Sequence, residues 1–199
     1  MICIVGMGPG HIKYLTQEAI EAIQRAEKVI AFGRIAETAE QIRSPIIRVT
    51  RVDEMLSQLE PNKHIAILAS GDPGFYGILE YLKKQGVSVD TVIPGISSFQ
   101  CLMAKLKKSW HAARFVSLHG READIEQIVR HPLSILLTDQ HNTPHVISKR
   151  LQKLGVQGTM YIGHNLSYED EQITVKQIGD DIAGESVLAT VVVEQDVDS

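Results

Sequence analysis

Residues 1–10 read Met-Ile-Cys-Ile-Val-Gly-Met-Gly-Pro-Gly. Apolar residues rich in β-branched side chains run straight into closely spaced glycines, the pattern of a buried strand that ends in an open turn. A secretory signal does not carry a glycine loop at that place, so none is expected. The same alternation continues outward. Thr16 predicts a capped helix through about Ala26, with Ala19, Ile20 and Ile23 on one face. Strands are expected at Lys28–Phe32, Ile46–Thr50, His64–Ala69 and Ser88–Ile93. Helices are expected at Ile35–Ile42, Asp53–Leu59, after Gly74 as far as Lys84, and at Ser98–Leu106.

The pattern changes in the polar stretch Lys107–Ala112, which predicts an N-terminal domain over residues 1–110 and a C-terminal one over 111–199. In the second part, Arg114–Leu118 and Leu133–Thr138 read as strands around a helix at Glu122–Arg130. Thr143-Pro144 is a strong helix start, with a capping hydroxyl followed by proline in the first turn, and Gly155 ends that helix. Met160–Ile162, Gln172–Ile178 and Ser186–Val193 then read as antiparallel strands. Both parts are therefore of the α/β class, each built on one sheet.

Composition limits what such a fold does. The 199 residues carry 20 basic and 24 acidic side chains, a formal net charge of −4, which speaks against an electrostatic nucleic-acid binder. Two cysteines in apolar stretches, Cys3 and Cys101, are too few for a disulfide framework or a zinc site and read as buried thiols in a reducing cytoplasm. The eight histidines show no metal-ligand spacing, so no protein-bound metal is expected. No apolar run reaches the roughly 18 residues of a membrane span.

Glycine turns follow three strands: Gly6–Gly10, Gly71-Asp72-Pro73-Gly74 and Pro94-Gly95. In open α/β sheets ligands bind outside the carboxyl ends of strands, so these turns share one rim. Taken singly, each turn reads as tight-turn chemistry; taken together they read as a ligand site. The dinucleotide fingerprint fails here, because position 11 is histidine and no acidic residue ends the second strand at Phe32-Gly33-Arg34. Pro9 also removes an N–H that a phosphate turn uses, and no phosphate-binding P-loop occurs.

Val5-Gly6-Met7-Gly8-Pro9-Gly10 with Leu15-Thr16, Ser70-Gly71-Asp72-Pro73-Gly74-Phe75-Tyr76-Gly77, and Ile93-Pro94-Gly95-Ile96-Ser97-Ser98 together resemble the three ordered signatures of the tetrapyrrole methylase family. The resemblance covers the whole chain. Ser117-Leu118-His119-Gly120-Arg121 and Leu137-Thr138-Asp139-Gln140-His141-Asn142-Thr143-Pro144 resemble its precorrin carbon-5 methyltransferase branch, and Asn165-Leu166 with Glu171 adds a weaker match. His11 stands where the family often has an acid, and His164 or Asn165 where the branch often has glutamate.

The resemblance implies a two-domain fold with S-adenosylmethionine in a cleft between the domains, beneath a trough for the macrocycle. On that reading Gly71, Asp72, Pro73, Gly74 and Tyr76 take the methionine end, and Ser97 and Ser98 at a helix start donate to its carboxylate. Leu137, Ala189 and Thr190 take the adenine side. Gly8, Pro9 and Gly10 shape the trough, where Arg34 and Arg121 meet substrate carboxylates and His119 and His141 hydrogen-bond them or take a proton. Each has a plainer reading: helix capping for Ser97 and Ser98, a Asp-Pro-Gly turn for Asp72, core packing for Tyr76, solvated surface for the arginines and histidines. No catalytic acid or base stands out, as expected where a sulfonium loses its methyl without proton help and placement supplies the acceleration.

The activity implied is methylation at carbon 5 of a corrin precursor in cobalamin synthesis, by a cytoplasmic homodimer in transient contact with the carbon-15 methyltransferase/decarboxylase. Alternatives are a same-fold methyltransferase on another tetrapyrrole, on ribosomal RNA or on a modified protein histidine, and a non-catalytic module that keeps the cofactor loops.

Overall fold

The computed structural model describes residues 1–118, 125–182 and 188–196. The chain divides into two compact units, Met1–Ser98 and Phe99–Ser199. That division falls at the start of the helix Ser98–Leu106, ahead of the polar stretch at Lys107–Ala112, and each unit keeps its own sheet.

The first unit is a parallel sheet of β1 (Ile2–Gly6), β2 (Lys28–Phe32), β3 (Ile47–Val49), β4 (Ile65–Ala69) and β5 (Thr91–Ile93), in the order β3-β2-β4-β1-β5. The helices between the strands are α1 (Gln17–Arg25), α2 (Ile35–Glu40), α3 (Val52–Ser57) and α4 (Ile78–Lys84), and α5 (Ser98–Leu106) follows β5. Strand residues alternate between two buried layers: Cys3, Val5, Val29, Ala31, Ala66 and Leu68 pack with α1 and α2 residues. Ile4, Ile30, Ile65 and Ile67 pack with Met55 and Leu82 on the other face. Burial on both faces explains why the central strands β1, β2 and β4 read as nearly continuous apolar runs, while the edge strands β3 and β5 stay partly exposed. Thr16 caps α1 as expected, its hydroxyl accepting Ala19 N–H at 3.0 Å, a contact typically worth about 1 kcal/mol.

Strand β5 is shorter than the expected Ser88–Ile93. Asp90 is the reason: its carboxylate accepts Ile2 N–H at 2.6 Å and its own N–H goes to Ile2 O, so this residue anchors the start of β1 and regular pairing begins only at Thr91. A 3-10 turn at Ile12–Tyr14, which the pattern did not suggest, follows the first glycine loop.

The second unit holds β6 (Arg114–Ser117), β7 (Leu133–Leu137), β8 (Gly158–His164), β9 (Gln172–Gln177) and β10 (Thr190–Gln195), in the order β6-β7-β10-β8-β9. Only β6 and β7 pair in parallel; β10 runs antiparallel to both β7 and β8, and β8 antiparallel to β9. Helices α6 (Glu126–Val129) and α7 (Pro144–Lys153) lie in this unit, and Ile128, Ile147 and Leu151 pack on Val116, Leu136, Met160, Ile162, Val191 and Val193. The last strand begins at Thr190 and ends at Gln195, shifted from the expected Ser186–Val193, whose first two residues lie outside the described ones. The described helix Glu126–Val129 covers only part of the expected Glu122–Arg130.

Candidate functional site

In the first sheet, the connections from β1 through β2 to β3 run to one side and that from β4 to β5 to the other, so the order reverses between β1 and β4. That reversal is where open α/β sheets bind ligands. The loops after β4, β1 and β5 are neighbours there, and all three glycine turns lie on them.

Their backbones interlock. A Cβ on Gly6 would stand 2.5 Å from Gly95 N and 2.9 Å from Gly71 O, and a Cβ on Gly95 would collide with Gly71 O. Gly71 N–H donates to Gly8 O at 2.8 Å and Gly8 N–H returns to Gly71 O at 3.3 Å, both residues holding left-handed φ values of 66° and 62°. Side chains at Gly6 and Gly95 would force these loops apart, whereas at Gly71 the left-handed φ rather than lack of space calls for glycine. Asp72 joins the second loop to the third: Oδ1 accepts Gly74 N–H at 2.8 Å and Oδ2 accepts Gly95 N–H at 3.1 Å.

The first loop is a buttress. Gly8, Pro9 and Gly10 are buried, and the Thr38 hydroxyl on α2 donates to Gly10 O at 2.6 Å. His11 caps the 3-10 turn, Nδ1 accepting Lys13 N–H at 3.1 Å, a task that an acidic side chain also performs. Tyr76 is exposed, lies edge-on to Phe75 at 4.9 Å, and has φ 53°. A non-glycine residue there stores strain of order 1–3 kcal/mol, a feature that clusters at ligand sites. Ser97 is buried and Ser98 opens α5, so the amino end of a nine-residue helix meets the same rim. Arg34 is exposed just past β2, beside β4 in the sheet. A helix amino terminus with two hydroxyls suits an anionic group, and the interlocked glycine loops hold that terminus at the rim.

The family model for the tetrapyrrole (corrin/porphyrin) methylases matches residues 1–180. The chain belongs to that family. The tetrapyrrole methylase fold is also that of a precorrin-6Y methylase of cobalamin biosynthesis from Archaeoglobus fulgidus, whose crystal structure matches with a TM-score of 0.76 and 27% identity over 99% of both chains. A relative from Methanocaldococcus jannaschii named a probable cobalt-precorrin-7 C(5)-methyltransferase is 33% identical over 207 residues, 97% of each chain. The cobalt-precorrin-7 C(5)-methyltransferase of Salmonella typhimurium is 33% identical over 178 residues, covering 87% of this chain and 89% of its own.

In the second unit of this methylase, the sequence candidates Leu137, Ala189 and Thr190 come together. Leu137 pairs directly with Thr190 across β7 and β10. Thr138, the next residue, donates its hydroxyl to Ala189 O at 3.0 Å and accepts Ala189 N–H at 2.7 Å. On the other side of the same segment, His164 Nδ1 lies 3.4 Å from Leu188 O. Asp139 orders the loop after β7, its Oδ1 accepting N–H groups of His141 and Asn142 at 2.9 and 2.7 Å. Thr143 then caps α7 with Pro144 behind it. Glu171 accepts Ser167 N–H at 2.7 Å and pairs with Lys105 at 2.7 Å, and Asn165 donates to Asp170. His141 is exposed, and His119 and Arg121 lie outside the described residues.

Thr138 and Thr38 were not singled out from the sequence. Thr138 stands in the Leu137–Pro144 stretch that carries the family resemblance and Thr38 in no motif, and what each hydroxyl holds is revealed only by the fold. Displaced titrations lie elsewhere: Lys108 holds the Glu194 carboxyl below its ordinary range by hydrogen bonding. That pair, with Tyr161 donating to Glu194 at 2.9 Å, lies toward the opposite end of β10 from Thr190. Among the described residues no cluster of His, Cys, Asp or Glu could hold a metal ion, and no helix is long and apolar enough to cross a membrane.

Proposed function

We propose that this chain is an S-adenosylmethionine-dependent C-methyltransferase that methylates carbon 5 of cobalt-precorrin-7, or of its precorrin-6Y counterpart, in cobalamin biosynthesis. The observation that carries the reading is similarity to carbon-5 methyltransferases along nearly the full length of both chains. The interlocked glycine loops at the sheet's switch point support it.

Bound S-adenosylmethionine supplies an electrophilic methyl on a sulfonium whose sulfur departs uncharged. The chain supplies placement, which for such a displacement is most of the catalysis. Gly71, Pro73, Gly74 and Tyr76 take the methionine end, with Asp72 holding the turn and Ser97 and Ser98 donating to the carboxylate. Leu137, Ala189 and Thr190 form the adenine side. Gly8, Pro9 and Gly10 underpin the macrocycle side. Arg34 and Arg121 meet the acetate and propionate groups, for which the planar guanidinium is suited, and His119 hydrogen-bonds them. The enzyme works as a cytoplasmic homodimer, meets the carbon-15 methyltransferase/decarboxylase transiently, binds neither nucleic acid nor membrane, and carries no metal of its own; cobalt arrives with the substrate.

Calorimetric titration of the purified chain with S-adenosylhomocysteine tests the first half. Micromolar binding is expected, and absence of binding by folded protein overturns the reading. Incubation with isotopically labelled donor and cobalt-precorrin-7 tests the second, with label expected on carbon 5. Label on another carbon, or none, rejects the proposed acceptor.

A further inference from the structure

We infer that Thr138 is a positioning residue for the methyl donor, acting through the backbone of Ala189; this rests on the cofactor reading given above. In the register of β7 and β10, Leu137 faces Thr190, so the next facing pair is Thr138 and Ala189. A regular antiparallel pair at this place exchanges two main-chain bonds. Here only one is regular: Thr138 N–H donates to Ala189 O at 3.1 Å. The Ala189 N–H goes instead to the Thr138 hydroxyl at 2.7 Å, and that hydroxyl donates back to Ala189 O at 3.0 Å. A side chain thus takes the place of a main-chain carbonyl. The side chain of residue 138 thus adds a clasp, beside one main-chain bond, just before β10 begins.

Thr138 is 3% exposed, so its influence on a ligand passes through its neighbour. Leu188, just before Ala189, is 59% exposed, and Leu137 is partly exposed beside it. The segment that Thr138 fixes is thus the one that presents surface at this sheet end. Valine keeps the shape of threonine but leaves Ala189 N–H without its acceptor; serine keeps the acceptor.

The experiment compares full-length wild type, Thr138→Val and Thr138→Ser by calorimetry with S-adenosylhomocysteine, well below each melting temperature, and by steady-state kinetics. Thr138→Val is expected to weaken S-adenosylhomocysteine about 3- to 10-fold, the usual effect of one lost hydrogen bond. It should raise the KM for the methyl donor alike, with kcat and the macrocycle KM unchanged. Thr138→Ser should restore the affinity. If Thr138→Val does not fold, Thr138→Ala carries the same expectation. Unchanged affinity in folded Thr138→Val, or equal loss in Thr138→Ser, overturns the inference while leaving the methyltransferase reading intact. No binding by wild type overturns that reading itself. Ala189→Leu separates the remaining case: unchanged S-adenosylhomocysteine binding by this folded variant removes Ala189 from the site, and the inference with it.

Discussion

The carboxylate of Asp72 accepts the amide of Gly95 at 3.1 Å, although 23 residues separate them. One side chain thereby fastens the loop after β4 to the loop after β5. Its other oxygen is engaged by Gly74, so Asp72 is first a brace of the site and only then a candidate contact.

Removing that brace should loosen both loops at once. Asp72→Ala is expected to cost about 1–3 kcal/mol of stability through the two lost hydrogen bonds and to weaken S-adenosylhomocysteine at least 10-fold, a loss of about 1.4 kcal/mol or more. Asp72→Asn, which retains one good acceptor, should fall between. Calorimetry beside urea unfolding measures both, and full affinity in Asp72→Ala would remove this loop from the cofactor site.

Two glycines separate steric need from conformational need. At Gly6 a new Cβ meets Gly95 N at 2.5 Å, whereas at Gly33 nothing lies within 4 Å and only a φ of 49° opposes substitution. Gly6→Ala is expected to abolish S-adenosylhomocysteine binding or folding. Gly33→Ala should cost about 1–2 kcal/mol, the left-handed penalty, and leave affinity intact. Similar behaviour of the two variants in thermal melts and titrations would contradict the interlock.

The arginines proposed for the macrocycle should act on one ligand only. Arg34→Ala and Arg121→Ala are each expected to raise the macrocycle KM about 10-fold or more, since a hydrogen bond to a charged partner is worth about 1.5–3 kcal/mol. S-adenosylhomocysteine affinity should stay within twofold of wild type. Parallel loss of both ligands would show that the residue supports the fold instead.

Several carboxyls held low contribute to acid sensitivity, Glu60 among them. Hydrogen bonds from Lys28 and Lys63 lower the Glu60 carboxyl from 4.5 to about 2. A carboxyl depressed in the folded state stabilises above its unfolded pKa, and that contribution disappears as pH falls from about 4.5 toward 2. Glu60→Gln should therefore flatten the stability profile in that window and leave stability below it unchanged. Because the group is exposed, added salt should shrink the difference; chemical denaturation at several pH values reads it directly.

Local rules made much of this molecule legible. The central strands β1, β2 and β4 are apolar runs closed by a turn signal, and Thr16 and Thr143 cap the helices that their sequences announce. The order β3-β2-β4-β1-β5 was not legible, because it depends on which distant strands pair. The same holds for Thr138 and Ala189, 51 residues apart, and for Asp90, whose anchoring of Ile2 shortens β5. In the site, the glycine spacing revealed that backbones come close. It did not reveal that they approach one another, with Gly8–Gly10 buried beneath as support.

The bonds among Gly8, Gly71, Asp72, Gly74 and Gly95 all run within the chain itself. Ordering of this platform is complete when the chain folds, so binding need not be weakened by loops that must first settle. It also separates what can change from what cannot. Side chains such as Arg34 stand outside the interlock and can be exchanged without disturbing it. A scaffold so divided can keep one methyl donor while its rim is refitted for another acceptor.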